Sequence, residues 1–214
     1  MMKEYLDSLS KSAWETSCAR YNSSRRLKIR EIFSTISIAL IGLSGIALSL
    51  IQFYFDEILG KNISNLVAAF SIVLSMLLII ISLIEWGFAA GAKSEALFRN
   101  AELLNEYERK VIFVKGKLTE GLSQEDYNKI DILREEYEKI KSTCVFNHSP
   151  IDHEFHKIIR KRFYISKNNE HFSFIRNLYG RLSYYLCSIW GYLLIWGLVV
   201  LFFYAVIKEI ISLH

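Results

Sequence analysis

The stretch 32-IFSTISIALIGLSGIALSLIQFYF-55 decides the fold. None of its 24 positions is Asp, Glu, Lys or Arg. A helix that crosses a bilayer needs about 20 predominantly apolar residues. Two further stretches meet that requirement: 62-NISNLVAAFSIVLSMLLIIISLI-84 and 182-LSYYLCSIWGYLLIWGLVVLFFYAVI-207, with 23 and 26 charge-free positions. Soluble core helices seldom run so far without a charge, so three membrane spans are expected. The first span follows 31 mostly polar residues, which is not the layout of a signal peptide. The chain has a single proline, Pro150, among 214 residues. Ordinary usage would give about ten. Proline poverty argues against a loop-rich β-sandwich or a disordered linker protein and favours long helices. The expected class is an all-α membrane protein: a transmembrane hairpin, a third C-terminal span and a helical cytoplasmic module. The divisions are 1–31 (amphipathic helix), 32–84 (hairpin), 85–181 (cytoplasmic module), 182–207 (third span) and 208–214 (tail).

Orientation follows from Lys and Arg, which are retained on the cytoplasmic side. Residues 1–31 carry seven of them and 85–181 carry seventeen. The link 56–61 carries only Lys61, and the tail only Lys208. The N-terminus and 85–181 are therefore expected in the cytoplasm, with the hairpin link and C-terminus outside. Tyr54, Trp86, Tyr184, Tyr185 and Trp190 fit interfacial aromatic belts, whereas Trp196 is placed near mid-bilayer. The three cysteines, Cys18, Cys144 and Cys187, have no metal-site spacing, and their odd number suits a reducing compartment.

In the cytoplasmic parts, Leu6, Leu9, Ala13, Trp14, Cys18 and Tyr21 recur at helical spacing. They precede a basic run, 25-RRLKIR-30, read either as a topology anchor on anionic lipid or as a ligand or gating contact. The second span continues without a breaker into a helix whose stripe is Leu97, Ala101, Leu104 and Val111. After Gly116 and Gly121, Ser123 with Asp126 starts another, striped by Tyr127, Ile130, Leu133, Tyr137 and Ile140. The two narrow stripes suit an antiparallel hairpin or an oligomeric coiled coil. A last cytoplasmic helix starts at Pro150, with Ser149 as cap, Asp152 as its third-position acid and Ile151, Phe155, Ile159 and Phe163 inward. As a cap alone, Asp152 is worth on the order of 1 kcal/mol.

His148, Asp152, His153 and His156 carry metal-ligating atoms at short spacing. The cap accounts for Ser149, Pro150 and Asp152 without a metal, and no metal or other cofactor is expected. No phosphate loop, HExxH, GxSxG or paired CxxC occurs in the sequence, so an enzyme is not expected. The cations Lys157, Arg160, Arg162 and Lys167 have two readings: a face toward anionic lipid, or a site for a phosphate-bearing messenger. Aromatic interleaving is slight there, so no nucleic-acid partner is expected.

Inside the membrane, Ser64, Ala68, Ser71, Ser75 and Ser82 share one face of the second span, which Glu85 extends to the cytoplasmic edge. Thr35, Ala39, Gly42, Gly45 and Ser49 form the corresponding face of the first. Small residues let helices approach closely, which makes helix packing one reading. The other is a wet pore face on the second span, with the first packing around it.

The segments 13-AWETSCARYNSSRR-26, 133-LREEYEKI-140 and 147-NHSPIDHEFH-156, with the tight two-span hairpin and the long helix leaving it, resemble the SLATT family over residues 5–165. These are small membrane effectors of bacterial conflict systems, some associated with nucleotide-messenger synthases. The resemblance implies an antiviral, abortive-infection effector that perturbs the membrane through pores. It also implies that His148, Asp152, Lys157, Arg160 and Arg162 belong to a cytoplasmic sensing or assembly region. The family core has two spans, so the third is expected to surround or gate a pore. The expected function is a homo-oligomeric, pore-forming effector that responds to a nucleotide messenger or a signalling protein. The rival reading is a membrane-anchored sensor or adaptor without pore activity.

Overall fold

A computed structural model describes residues 2–117, 124–160 and 174–212. Ser123, Arg162, Phe163 and Lys167 lie outside them. The described residues form five helices and no strand: α1 (Met2–Phe88), α2 (Ala90–Lys117), α3 (Gln124–Ser142), α4 (Pro150–Ile159) and α5 (Phe174–Ser212). Three helical stretches are long and apolar enough to cross a membrane: Lys3–Phe55, Ile63–Lys117 and Asn177–Lys208. The chain is thus an all-α, multi-pass membrane protein. It divides into two compact units, Met1–Lys28 with Gly91–Leu186, and Ile29–Ala90 with Cys187–His214.

In the first unit the amphipathic stripes meet. Leu6, Leu9 and Ala13 of α1 pack with Leu104, Tyr107 and Val111 of α2 and with Ile130, Leu133 and Tyr137 of α3. The α2–α3 hairpin therefore completes its core with the N-terminal stretch of α1. The Tyr107 hydroxyl donates to the Leu133 carbonyl at 2.8 Å, and burial pushes its pKa up. Further along α1 the buried face turns polar. Ser17 donates to the Ala101 carbonyl at 2.9 Å, and Ser94 to the Ser24 carbonyl at 2.8 Å. Arg20 and Asn100 close the C-terminal end of α3. Asn100 donates to the Ile140 carbonyl and Thr143 Oγ1, while Arg20 reaches Asn100 Oδ1 and the Lys141 carbonyl. A helix C-terminus has carbonyls without intrahelical partners and carries a partial negative charge, which a buried guanidinium offsets.

In the second unit Gly60 (φ 67°, ψ 157°) interrupts α1 and makes the hairpin turn, in backbone that glycine enters without a Cβ clash. The arms run antiparallel, pairing Gln52 with Ser64 at one end and Arg30 with Glu85 at the other. Ile41, Leu48, Val67, Leu74 and Val206, all nearly or fully enclosed, form a core to which all three spans contribute. Phe70 and Phe202 stack in it, with centroids 3.5 Å apart. Leu43, Ile46, Met76, Ile79, Leu198 and Leu201 are more than half exposed, as lipid-facing residues are.

Two expectations are corrected here. The second span does not pass unbroken into α2: α1 ends at Phe88, and Ala89 has φ 48°. A left-handed non-glycine residue costs about 1–2 kcal/mol. Ala89→Gly should therefore raise stability by about 1 kcal/mol, reversing the usual helix penalty for glycine. Thermal unfolding in detergent checks this, and a lower Tm for the glycine variant would contradict the strain. The third segment is divided between the units, because Leu182–Leu186 pack with the first. Tyr184 is fully buried there rather than interfacial. Trp196, in turn, stacks on Phe33 and donates from Nε1 to Ser37 Oγ at 2.9 Å. Trp196 is thus a packing residue, held against the first span at Phe33 and Ser37.

Candidate functional site

Two polar clusters stand out, one in each unit. In the first, α4 begins as its sequence requires: Ser149 is the N-cap, Pro150 opens the helix, and the Ser149 N–H donates to Asp152 Oδ2 at 2.9 Å. Asp152 does more than cap. It is fully buried, and Arg26 forks onto it from Nε to Oδ1 at 2.8 Å and from Nη2 to Oδ2 at 3.0 Å. Bidentate Arg–carboxylate pairs are among the stronger and most directional contacts in proteins. Asn22 donates to the Asp152 carbonyl at 3.1 Å, and the Tyr184 hydroxyl donates to the Asn22 carbonyl at 2.5 Å. Phe155 lies flat on Tyr184, with centroids 3.7 Å apart. One carboxylate thus ties α1 to α4, and the same cluster binds the start of α5.

The buried face of α4 is Asp152, Phe155, His156 and Ile158, with Ile159 turned out. This corrects the inward place expected for Ile159. His156 meets the edge of Trp14 at 4.8 Å. Burial lowers its pKa to about 4, helped by the nearby cations of Arg160 and Lys157 and by His153. Burial and Arg20 also lower that of His148, whose ring lies 6.5 Å from that of His153. Among the described residues no three His, Cys, Asp or Glu side chains are grouped to hold a metal. The oxygens of Asp152 are already taken by Arg26 and the cap. Lys157 pairs with Glu154 at 3.0 Å, and Arg160 is exposed. Burial pushes the Cys18 thiol up to about 11, which keeps it protonated and unreactive near neutral pH.

In the second unit, Glu85 Oε1 accepts from Arg30 Nη2 at 2.8 Å and from the Tyr192 hydroxyl at 2.5 Å. The Arg30 guanidinium also lies over the Phe88 ring at 3.7 Å. Glu85 is therefore a paired carboxylate in this chain. The basic run is likewise divided by use, with Arg26 bound to Asp152 and Arg30 to Glu85.

Part of each stripe of small residues faces one groove. Gly42, Gly45 and Ser49 of the first span and Ser71 and Ser75 of the second line a cavity of about 380 Å³. A Cβ on Gly42 or Gly45 would meet nothing within 4 Å, so neither glycine serves a close approach inside the protomer. Ser49, Ser71, Ser75 and Ser82 each donate to the carbonyl four residues back in their own helix. Ser64 is buried near Gln52 and Ala68 is half-buried. Thr35, bonded to the Glu31 carbonyl, and Ala39 are exposed. The buried small residues of the first span are instead Ser34 and Ser37, which sequence spacing did not single out. A face of serines shows in a sequence, but the rotation that buries Ser37 rather than Thr35 comes from the third span. Arg26 and Tyr192 were missed for a similar reason: each partner lies more than 100 residues away.

A three-span bundle with an apolar core and an apolar outer surface, together with a helical unit that has a polar seam, defines an all-α integral membrane protein. The family description that matches is "SMODS and SLOG-associating 2TM effector domain family 5", over residues 2–206. The chain belongs to this SLATT family. The match extends through most of the third span, well past the 5–165 of the sequence resemblance. No curated protein and no solved structure matches the chain.

Proposed function

We propose that this protein is a non-catalytic effector of the bacterial inner membrane, with its N-terminus inside and its C-terminus outside. On a cytoplasmic signal, copies of the chain assemble through the groove of Gly42, Gly45, Ser49, Ser71 and Ser75 and make the membrane permeable. The observation that carries this reading is the contrast between an apolar core and that groove. Ile41, Leu48, Val67, Leu74 and Val206 fill the middle of the bundle with apolar side chains. On this reading a conducting path takes surfaces from several chains, and the groove offers the small residues Gly42, Gly45, Ser49, Ser71 and Ser75 among the bulkier Ile41, Ile46, Leu50, Leu74 and Leu78. Family membership supports an effector role in a conflict system, and the excess of Lys and Arg in 1–31 and 85–181 supports the orientation.

The test is solute release from vesicles carrying the full-length protein, with cross-linking to follow its assembly. Ser75→Leu separates the two roles of the stripe. If Ser75 lines water, the variant should assemble but release at least ten-fold less solute. If it packs, the bulky residue should abolish the cross-linked species. Release by an assembled Ser75→Leu protein at the parental rate would remove this groove from the path. A parent that neither cross-links nor leaks would favour the adaptor reading.

A further inference from the structure

We propose that Arg30, Glu85 and Tyr192 form a latch that pins the third span to the hairpin, and that release at Glu85 frees this span to move away from the first. The inference is a structural one about the membrane unit, and only its leakage arm rests on the effector reading above.

The contacts of the third span are unevenly distributed. Among the described residues, its polar bonds to the hairpin include one close-set group: Tyr192 with Glu85 and Ser34, and Trp196 to Ser37. Beyond Trp196 the first and third spans part around a groove of about 490 Å³, lined by Leu40, Ile41, Ser44, Val199, Val200 and Phe203 among others. Against the second span, the packing there is apolar, through the Phe70–Phe202 stack. Polar bonds thus fasten the third span to the hairpin near one end only, while beyond the groove Val206 shares the apolar core with Ile41 and Leu48. Helices in a bilayer gain little from apolar contact with one another, since lipid tails serve as well. Polar bonds in that setting fix which helix lies where.

The latch itself is incompletely made. A single oxygen, Glu85 Oε1, serves both donors. Arg30 contributes Nη2 alone, and its enclosed Nε has no hydrogen-bond partner among the described residues. The Arg26–Asp152 pair, by contrast, uses both nitrogens and both oxygens. Strain sits one turn away, at the left-handed Ala89, whose N–H closes on the Glu85 carbonyl at 3.0 Å. Strained backbone beside a half-satisfied ion pair is the composition of a switch, because the surroundings must hold both in place.

The test uses the full chain in lipid nanodiscs, with Cys18, Cys144 and Cys187 replaced by Ser. Spin labels are placed on Ser44→Cys and Val200→Cys, which flank the 490 Å³ groove. The parent should give one narrow distance distribution. Glu85→Gln and Tyr192→Phe should each broaden it and add a longer-distance population. An unchanged distribution in either variant overturns the latch. If Glu85→Gln does not fold, Tyr192→Phe, which loses one hydroxyl, decides alone. The same samples in vesicles should leak several-fold faster than the parent. A broadened distribution without leakage would keep the latch and overturn the effector reading.

Discussion

Asp152→Ala is expected to destabilise the first unit, Met1–Lys28 with Gly91–Leu186, by about 3–5 kcal/mol, several times the worth of a helix cap. The reason is Arg26. Its side chain is 17% exposed, and it forks onto a carboxylate that is fully buried. Removing the carboxylate leaves the cation desolvated without its counter-charge, and also removes the acceptor for the Ser149 N–H. Arg26→Met should cost a similar amount, because it strands the buried anion instead. The double replacement Arg26→Met with Asp152→Leu should cost much less than the two single changes together, since no buried charge then remains. Thermal and chemical unfolding followed by circular dichroism in detergent measures all three. A loss of only about 1 kcal/mol for Asp152→Ala would mean that the cap alone matters.

The second large effect is on pH dependence. His156 is buried against Trp14, and its folded pKa is about 4, below the ordinary 6.5. The folded chain therefore keeps the ring neutral where the unfolded chain takes up a proton. Stability is fully present above pH 6.5 and is lost as the pH falls toward 4. The slope in that window is about 1.4 kcal/mol per pH unit, or roughly 3 kcal/mol across it. His148 is shifted in the same direction and steepens the loss. Melting temperatures between pH 7.5 and 4 check this against His156→Leu, which should flatten most of the dependence. A parent whose Tm is level down to pH 5 would contradict the buried neutral ring.

The three spans, the helical class and the start of α4 were legible in the sequence because each depends on local chemistry. An uncharged run of 24 residues cannot leave its backbone unpaired in lipid, and so it is a helix wherever it sits. Ser149, Pro150 and Asp152 are a helix start by spacing alone, since the capped amides lie within three residues. The stripes of α2 and α3 also followed from period, and they meet as expected, with Leu104 and Val111 against Ile130 and Leu133.

Only the tertiary structure decided what those elements hold. That Arg26 serves Asp152 while Arg30 serves Glu85 could not be read from the run RRLKIR, because the partners lie 126 and 55 residues away. The same distance hid Tyr192, which donates to Glu85, and the role of Tyr184, which read as a belt aromatic but is a buried anchor. A helical period gives which residues share a face, but the direction of that face is set by the helices packed around it. So Ser37 is buried and Thr35 is exposed, two positions apart on one span.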